Sequence, residues 1–301
     1  MPRVIACADP GVADPGECIE LIGDGKLDLE EEEGIARGSV ALRRLANNRD
    51  FLGDLLISQL RDGFRNAAAD SAYGPQAIIL SRIHNGCFLR ANIWPSEDDS
   101  VFRASGARTF VYGVPHDHNF SFLTAGYFGP GYISDYYEYD YDAVSGYSGE
   151  QPGLRFSQRS ALCEGRMLLY RAHRDVHSQL PPKSMSVSLN IMQIDPAREW
   201  FDQYRFDLET GAITGVLNPT STECFLRCAV GLGGEAAVAL AAHFGRHHPS
   251  DRMRLASYEA RAMLGGDVDG LWREAEVSGS AMVAKEAAKR RRALESSGGR
   301  G

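Results

Sequence analysis

Between residues 77 and 194 the chain is cut into short stretches that suit strands and little else. AIILSRI (77–83), CFLRANIW (87–94), RTFVYGV (108–114), SFLTAGYFG (121–129), ISDYYEYDY (133–141), GLRFSQRSAL (153–162), GRMLLYRA (165–172) and SMSVSLNIMQI (184–194) are rich in β-branched or aromatic residues, with Gly, Pro, Asn or Asp between them. Such side chains pack well on a pleated surface, and the intervening residues favour turns. Met185, Val187, Leu189 and Ile191 alternate with Ser184, Ser186, Ser188 and Asn190, the two-residue period of a strand with two unlike faces. Turn-punctuated strands at this spacing predict an antiparallel sandwich or barrel.

The flanks read differently. Residues 1–34 are rich in Gly, Asp, Pro and Glu and are expected to be a flexible acidic leader. Over 35–74 apolar residues recur at three- and four-residue steps, predicting N-terminal helices broken at Asn47-Asn48. The strand-rich region is expected to span 75–218. Thr220 with Glu223 forms a capping-box signature after Pro219, and further helical patterns follow in 219–296. These suit either a HEAT-like array or a plain helical bundle, ahead of a flexible tail at 297–301. The fold class is therefore α+β.

Charge narrows the partners. A net charge of −8 argues against broad nucleic-acid binding, which needs clustered positive charge. The basic run Lys289–Arg292 reads as a solvated helix end. No apolar run is long enough for a membrane span and the first residues show no apolar signal segment, so a cytoplasmic location without membrane association is expected. The six cysteines include no CxxC pair and are read as reduced and structural, with Cys224 and Cys228 as small core residues.

The chemistry-bearing segment is VYGVPHDHNFSFL. His116 and His118, two apart at the end of a strand-like stretch, project from one face and can reach one metal ion. His177 is the third candidate ligand. His173 stands as an alternative third ligand or as a donor behind the ligands, and Glu138 as an additional one. Tyr112 and Tyr170 are phenols near these histidines and are the expected catalytic hydrogen-bond donors. GYISDYYEYDYD (131–142) reads as a hairpin or as an aromatic wall over the metal mouth. YFGPGY (127–132) is a Gly-Pro turn and not a phosphate loop.

An HxH pair, a gap of alternating strands and a lone late histidine resemble the cupin superfamily over about residues 75–200. The resemblance implies an antiparallel jelly-roll β-barrel with the metal inside. The glutamate usual after the second histidine is replaced here by Phe122, Leu123 and Thr124. Three neutral imidazoles leave a divalent ion its full charge and open positions. That variant is similar to the thiol dioxygenases. The likeness implies Fe(II), dioxygen as co-substrate and an upstream arginine pairing with a substrate carboxylate. Arg90 is the first position for it and Arg82 the second.

The expected function is a mononuclear non-haem Fe(II) oxygenase acting on a small thiol, amino acid or other carboxylate. Two alternatives stay open: a non-redox metal-binding cupin (an isomerase or ligand sensor), and an interaction protein working through its C-terminal helices. Those helices are read either as a cap on the barrel mouth or as a homodimer contact.

Overall fold

A computed structural model describes residues 1–23, 25–61 and 76–298, and in it the strand segments assemble into antiparallel sheets. The larger sheet contains β1 (Arg3–Val4), β2 (Ala77–Ile79), β3 (Cys87–Trp94), β4 (Phe122–Phe128), β7 (Met167–Tyr170) and β9 (Ser186–Gln193), in the order β1-β7-β4-β9-β3-β2. The smaller contains β5 (Ile133–Glu138), β6 (Arg155–Ala161) and β8 (Asp175–Leu180), in the order β6-β5-β8. The two sheets share a core in which Phe88, Trp94, Phe122, Leu168, Tyr170 and Met192 of the larger meet Tyr136 of the smaller. The expected antiparallel strands thus form a pair of facing sheets; a closed barrel is not found among the described residues.

Both faces of the larger sheet are buried. Leu89, Ala91, Leu123, Ala125, Leu189 and Ile191 point away from the smaller sheet and pack against helices α1 (Pro15–Ile22) and α2 (Glu32–Asn47). The polar partners of that alternation, Asn92, Thr124, Ser188 and Asn190, are 6%, 0%, 2% and 2% exposed. An amphipathic strand normally turns its polar side chains to water. Here they turn inward, between the sheets.

The expected flexible leader is corrected. β1 pairs with β7, Asp14 caps α1 in a capping box with Glu17, and Cys18, Ile22, Leu27 and Leu29 are buried in the core. The acids that suggested a solvated segment are engaged: Asp9 takes two hydrogen bonds from Arg44 at 2.8 and 3.0 Å, and Glu32 pairs with Arg3. The break after α2 comes at Asn48, whose side chain accepts from the Phe51 amide as α3 (Phe51–Arg61) begins. The rest of the segment expected as helix to 74 lies outside the described residues.

RTFVYGV (108–114) is not a strand. Val111 and Gly113 take left-handed backbone angles (φ 61° and 67°), and a short 3-10 turn occupies Ala107–Phe110. Gly131 is demanded by packing as well as by its φ of 78°, because a Cβ there would sit 2.0 Å from the Leu162 carbonyl oxygen.

The chain divides into two compact units at Arg198 and not at 218, and Asp142–Pro152 belongs with the C-terminal part. The second unit holds the hairpin of β10 (Tyr204–Phe206) and β11 (Ile213–Val216) and the helices α5 (Ser221–Gly231), α6 (Glu235–His247), α7 (Asp251–Ala262), α8 (Val268–Glu276) and α9 (Ala281–Gly298). The short helix α4 (Ser100–Ser105) lies in the first unit. Thr220 and Glu223 form the expected capping box of α5. α7 supplies both helical cores: Met253 and Ala260 meet Leu226, Val230 and Ala241, while Tyr258 meets Trp272, Met282 and Val283. Cys18 and Cys87 are buried, and burial pushes their thiols up to about 12 and about 11. Cys163, Cys224 and Cys228 are exposed free thiols, so the core reading of the helical pair is corrected. The expected tail begins at the end of α9, and beyond 298 it lies outside the described residues.

Candidate metal centre

The strand carrying the third histidine was not expected. β8 reads DVHSQL, too polar to stand out, yet it pairs with β5 so that His177 lies opposite Tyr136. His116 bridges to it: the His116 amide donates to the His177 carbonyl at 3.0 Å, and the His177 amide returns the bond at 2.9 Å. The HxH segment is therefore an irregular stretch stitched to β8, and not a strand end. The His173 amide donates to the His118 carbonyl at 2.7 Å, fixing the other end of that stretch. Asp117, between the two histidines, turns the opposite way and accepts from the Tyr139 hydroxyl at 2.6 Å.

His116, His118 and His177 converge, with possible ligand atoms all within 4.8 Å of one another. The Nε2 atom of His177 lies 3.2 Å from that of His116 and 3.1 Å from that of His118. His116 Nδ1 sits 2.7 Å from the Val114 carbonyl, which can only accept, so the proton is on Nδ1 and the lone pair on Nε2. Burial holds His116 below the ordinary imidazole value. Burial first, and then the neighbouring imidazoles, hold His118 and His177 well below it. Three neutral imidazoles thus bring ring nitrogens together, with the lone pair of His116 Nε2 aimed at the cluster. His177 Nε2 is close enough to both partners for the three residues to share one ion. The donor set fits a divalent transition metal.

A cavity of about 140 Å³ opens beside the cluster, lined by the three histidines, Arg90, Tyr132, Trp94, Phe122 and the carboxamides Gln76, Asn92, Gln179 and Asn190. Arg90 reaches it because Phe88, Arg90, Asn92 and Trp94 alternate onto the inner face of β3. Arg82 does not: it is exposed in the β2–β3 turn and lines a separate pocket with Ile79, Phe88 and Ile194. The reason is local, since β2 stops at Ile79 and the inward alternation is lost before Arg82.

The expected phenols are displaced. Tyr112 follows the left-handed Val111, packs among Trp94, Phe102 and Phe110, and donates to the Pro95 carbonyl at 2.9 Å. Tyr170 stacks on Phe122 at 4.5 Å and bonds the Tyr136 hydroxyl at 3.0 Å. Its ring lies 4.9 Å from that of His177, so it supports the ligand without lining the cavity. The phenol at the cavity is Tyr132, the first tyrosine of the run that the sequence offered as an aromatic wall. Burial raises its pKa and keeps it a neutral donor. Glu138 is held elsewhere, paired with the Met1 amino group and 3.7 Å from Arg171. His173 is outside the cluster, with its ring 4.1 Å from that of Tyr141, and burial lowers its pKa to about 4. The interior carboxamides were missed as site residues. Their signal was the polar half of the strand alternation, which reads as solvent-facing until helices are known to cover the apolar half.

Fold and site together define an α+β protein of facing antiparallel sheets with a three-histidine cluster that could hold a metal ion. No protein-family model and no curated protein matches the chain. Among solved structures it is similar to a cupin domain from Bordetella pertussis Tohama I, at 15% identity over 40% of this chain and 97% of that one, with a TM-score of 0.24. It is also similar to the DMSP lyase DddQ from Ruegeria pomeroyi DSS-3, at 11% identity over 65% of this chain and 78% of that one, with a TM-score of 0.25. Among the described residues no helix is long and apolar enough to cross a membrane.

Proposed function

We propose that the chain is a mononuclear non-haem Fe(II)-dependent oxygenase that oxidises a small thiol, amino acid or other carboxylate with dioxygen. The observation that carries this reading is the convergence of three neutral imidazole nitrogens beside an arginine in one small cavity. His116, His118 and His177 would hold the ion, which when bound supplies the one-electron chemistry that dioxygen requires. Arg90 presents a planar guanidinium suited to a carboxylate in a two-point pairing, which fixes the substrate's orientation. Trp94 and Phe122 form apolar wall that limits water around the reacting atoms. Tyr132 stays protonated and can donate a hydrogen bond to a substrate oxygen.

The test is elemental analysis of the wild-type chain beside His116→Ala and His177→Ala, purified identically without a histidine tag, followed by an oxygen electrode with added Fe(II). About one transition metal per chain, lost in both folded variants, with oxygen consumed on a small carboxylate, is the expected result. Metal retained by both variants would overturn the site. Metal bound without oxygen consumption across the substrate panel would overturn the oxygenase assignment.

A further inference from the structure

The cavity wall contains Gln76, Asn92, Gln179 and Asn190 beside Arg90, and none of its described lining residues is Asp or Glu. All four carboxamides are buried, at 7%, 6%, 6% and 2% exposure. A buried polar group without a hydrogen bond is costly, and an apolar side chain of similar size would fill such a position at less cost. Nevertheless the side-chain oxygens of Gln76, Asn92 and Gln179 find no partner on the protein. Gln179 also reaches the Tyr132 side chain, while the oxygens of Gln76 and Asn92 are left for hydrogen bonds that a ligand brings.

We infer that the substrate of this site is a small carboxylate bearing hydroxyl groups, with the carboxylate on Arg90 and the hydroxyls taken by Asn92, Gln179 and Gln76. This rests on the reading of the cavity as a substrate site. A hydroxyl both donates and accepts, and so does a carboxamide. A thiol is a weak donor and leaves the amide oxygens unsatisfied. An ammonium group would enter a wall already carrying Arg90, with no carboxylate there to balance it. The volume of about 140 Å³ is below the range of roughly 300 Å³ and upward of ordinary drug-sized pockets, which restricts the ligand to a few carbons.

The experiment is calorimetric titration of the full chain, metal-free and Fe(II)-loaded under anaerobic conditions, with 2,3-dihydroxypropanoate, propanoate and 3-mercaptopropanoate. In both forms the dihydroxy acid should bind at least tenfold more tightly than the other two. Asn92→Leu should remove the preference, so that the dihydroxy acid binds no more tightly than propanoate does to the same variant. Gln179→Met serves as an independent second variant, and circular dichroism verifies that each is folded. Equal affinities, a preference for the mercapto acid, absence of binding, or a hydroxyl preference surviving in both folded variants would overturn the inference. A dihydroxy preference in a chain that never takes up metal would sink the oxygenase reading alone. Oxygen consumption without the hydroxyl preference would sink this inference alone.

Discussion

Arg252 is 9% exposed and lies 2.6 Å from Asp202 and 3.3 Å from Glu223, so a buried guanidinium is shared between two carboxylates. Burial is the largest influence on Asp202 and pushes its carboxyl up to about 6, against the pull of Arg252. A carboxyl whose folded pKa is raised binds its proton more tightly when folded, so its contribution to stability declines as pH rises between about 4 and 6. Asp202→Asn mimics the protonated form. Relative to the wild type, the variant should gain roughly 2–3 kcal/mol between pH 4 and pH 7, measured by urea unfolding at each pH. A constant difference across that range would contradict the assignment. At this scale the sequence was uneven. His116 and His118 were legible because an HxH pair in a strand-rich setting suits metal chemistry, whereas His177 and Arg90 were picked out by the resemblance, and the structure brings all four to one cavity. Tyr132 could not be told from its neighbours, since which phenol faces a cavity depends on strand register.

The strands show how an element's pattern can be right while its environment is not. The period-two alternation of β9 was plain, and its apolar half does pack on a core. That core lies under α1 and α2, which leaves the polar half for the space between the sheets. Leu123, fully buried on the helix-facing side of β4, tests the arrangement. Leu123→Ala should cost about 2–5 kcal/mol in denaturant unfolding, and a loss below 1 kcal/mol would mean that this face is not a packed core. β8 was invisible for the converse reason. DVHSQL has no apolar signal of its own, and it becomes a strand because β5 on one side and the His116 segment on the other supply its hydrogen bonds. RTFVYGV failed in the opposite sense: its residues favour a strand, but a left-handed Val111 turns the chain instead.

Over the whole molecule, the two units give a part with the three-histidine cluster and a part without it. A ligand that binds only the native first unit stabilises that unit by mass action, about 2.7 kcal/mol at a hundredfold excess over its dissociation constant. Calorimetry with and without Fe(II) should therefore show one unfolding transition moving upward and a second staying in place. Two transitions moving together would mean that the units unfold as one. The segment 142–152 gives the second unit a long-range dependence: Gly149 donates to the Ile213 carbonyl at 2.8 Å and Ile213 returns a bond to Glu150 at 2.9 Å. The sequence by itself determined the α+β class, the helical C-terminal part and the HxH pair, because periodicity, capping and ligand chemistry are local properties, while the convergence of His177 and not His173 on that pair was decided by the fold. Only the tertiary structure decided that the acidic leader docks, that β8 exists, that the unit boundary falls at Arg198, and that the polar faces of β3 and β9 look inward. Each of these depends on which distant segment covers a surface or completes a hydrogen-bond ladder, and a one-dimensional pattern does not carry that information.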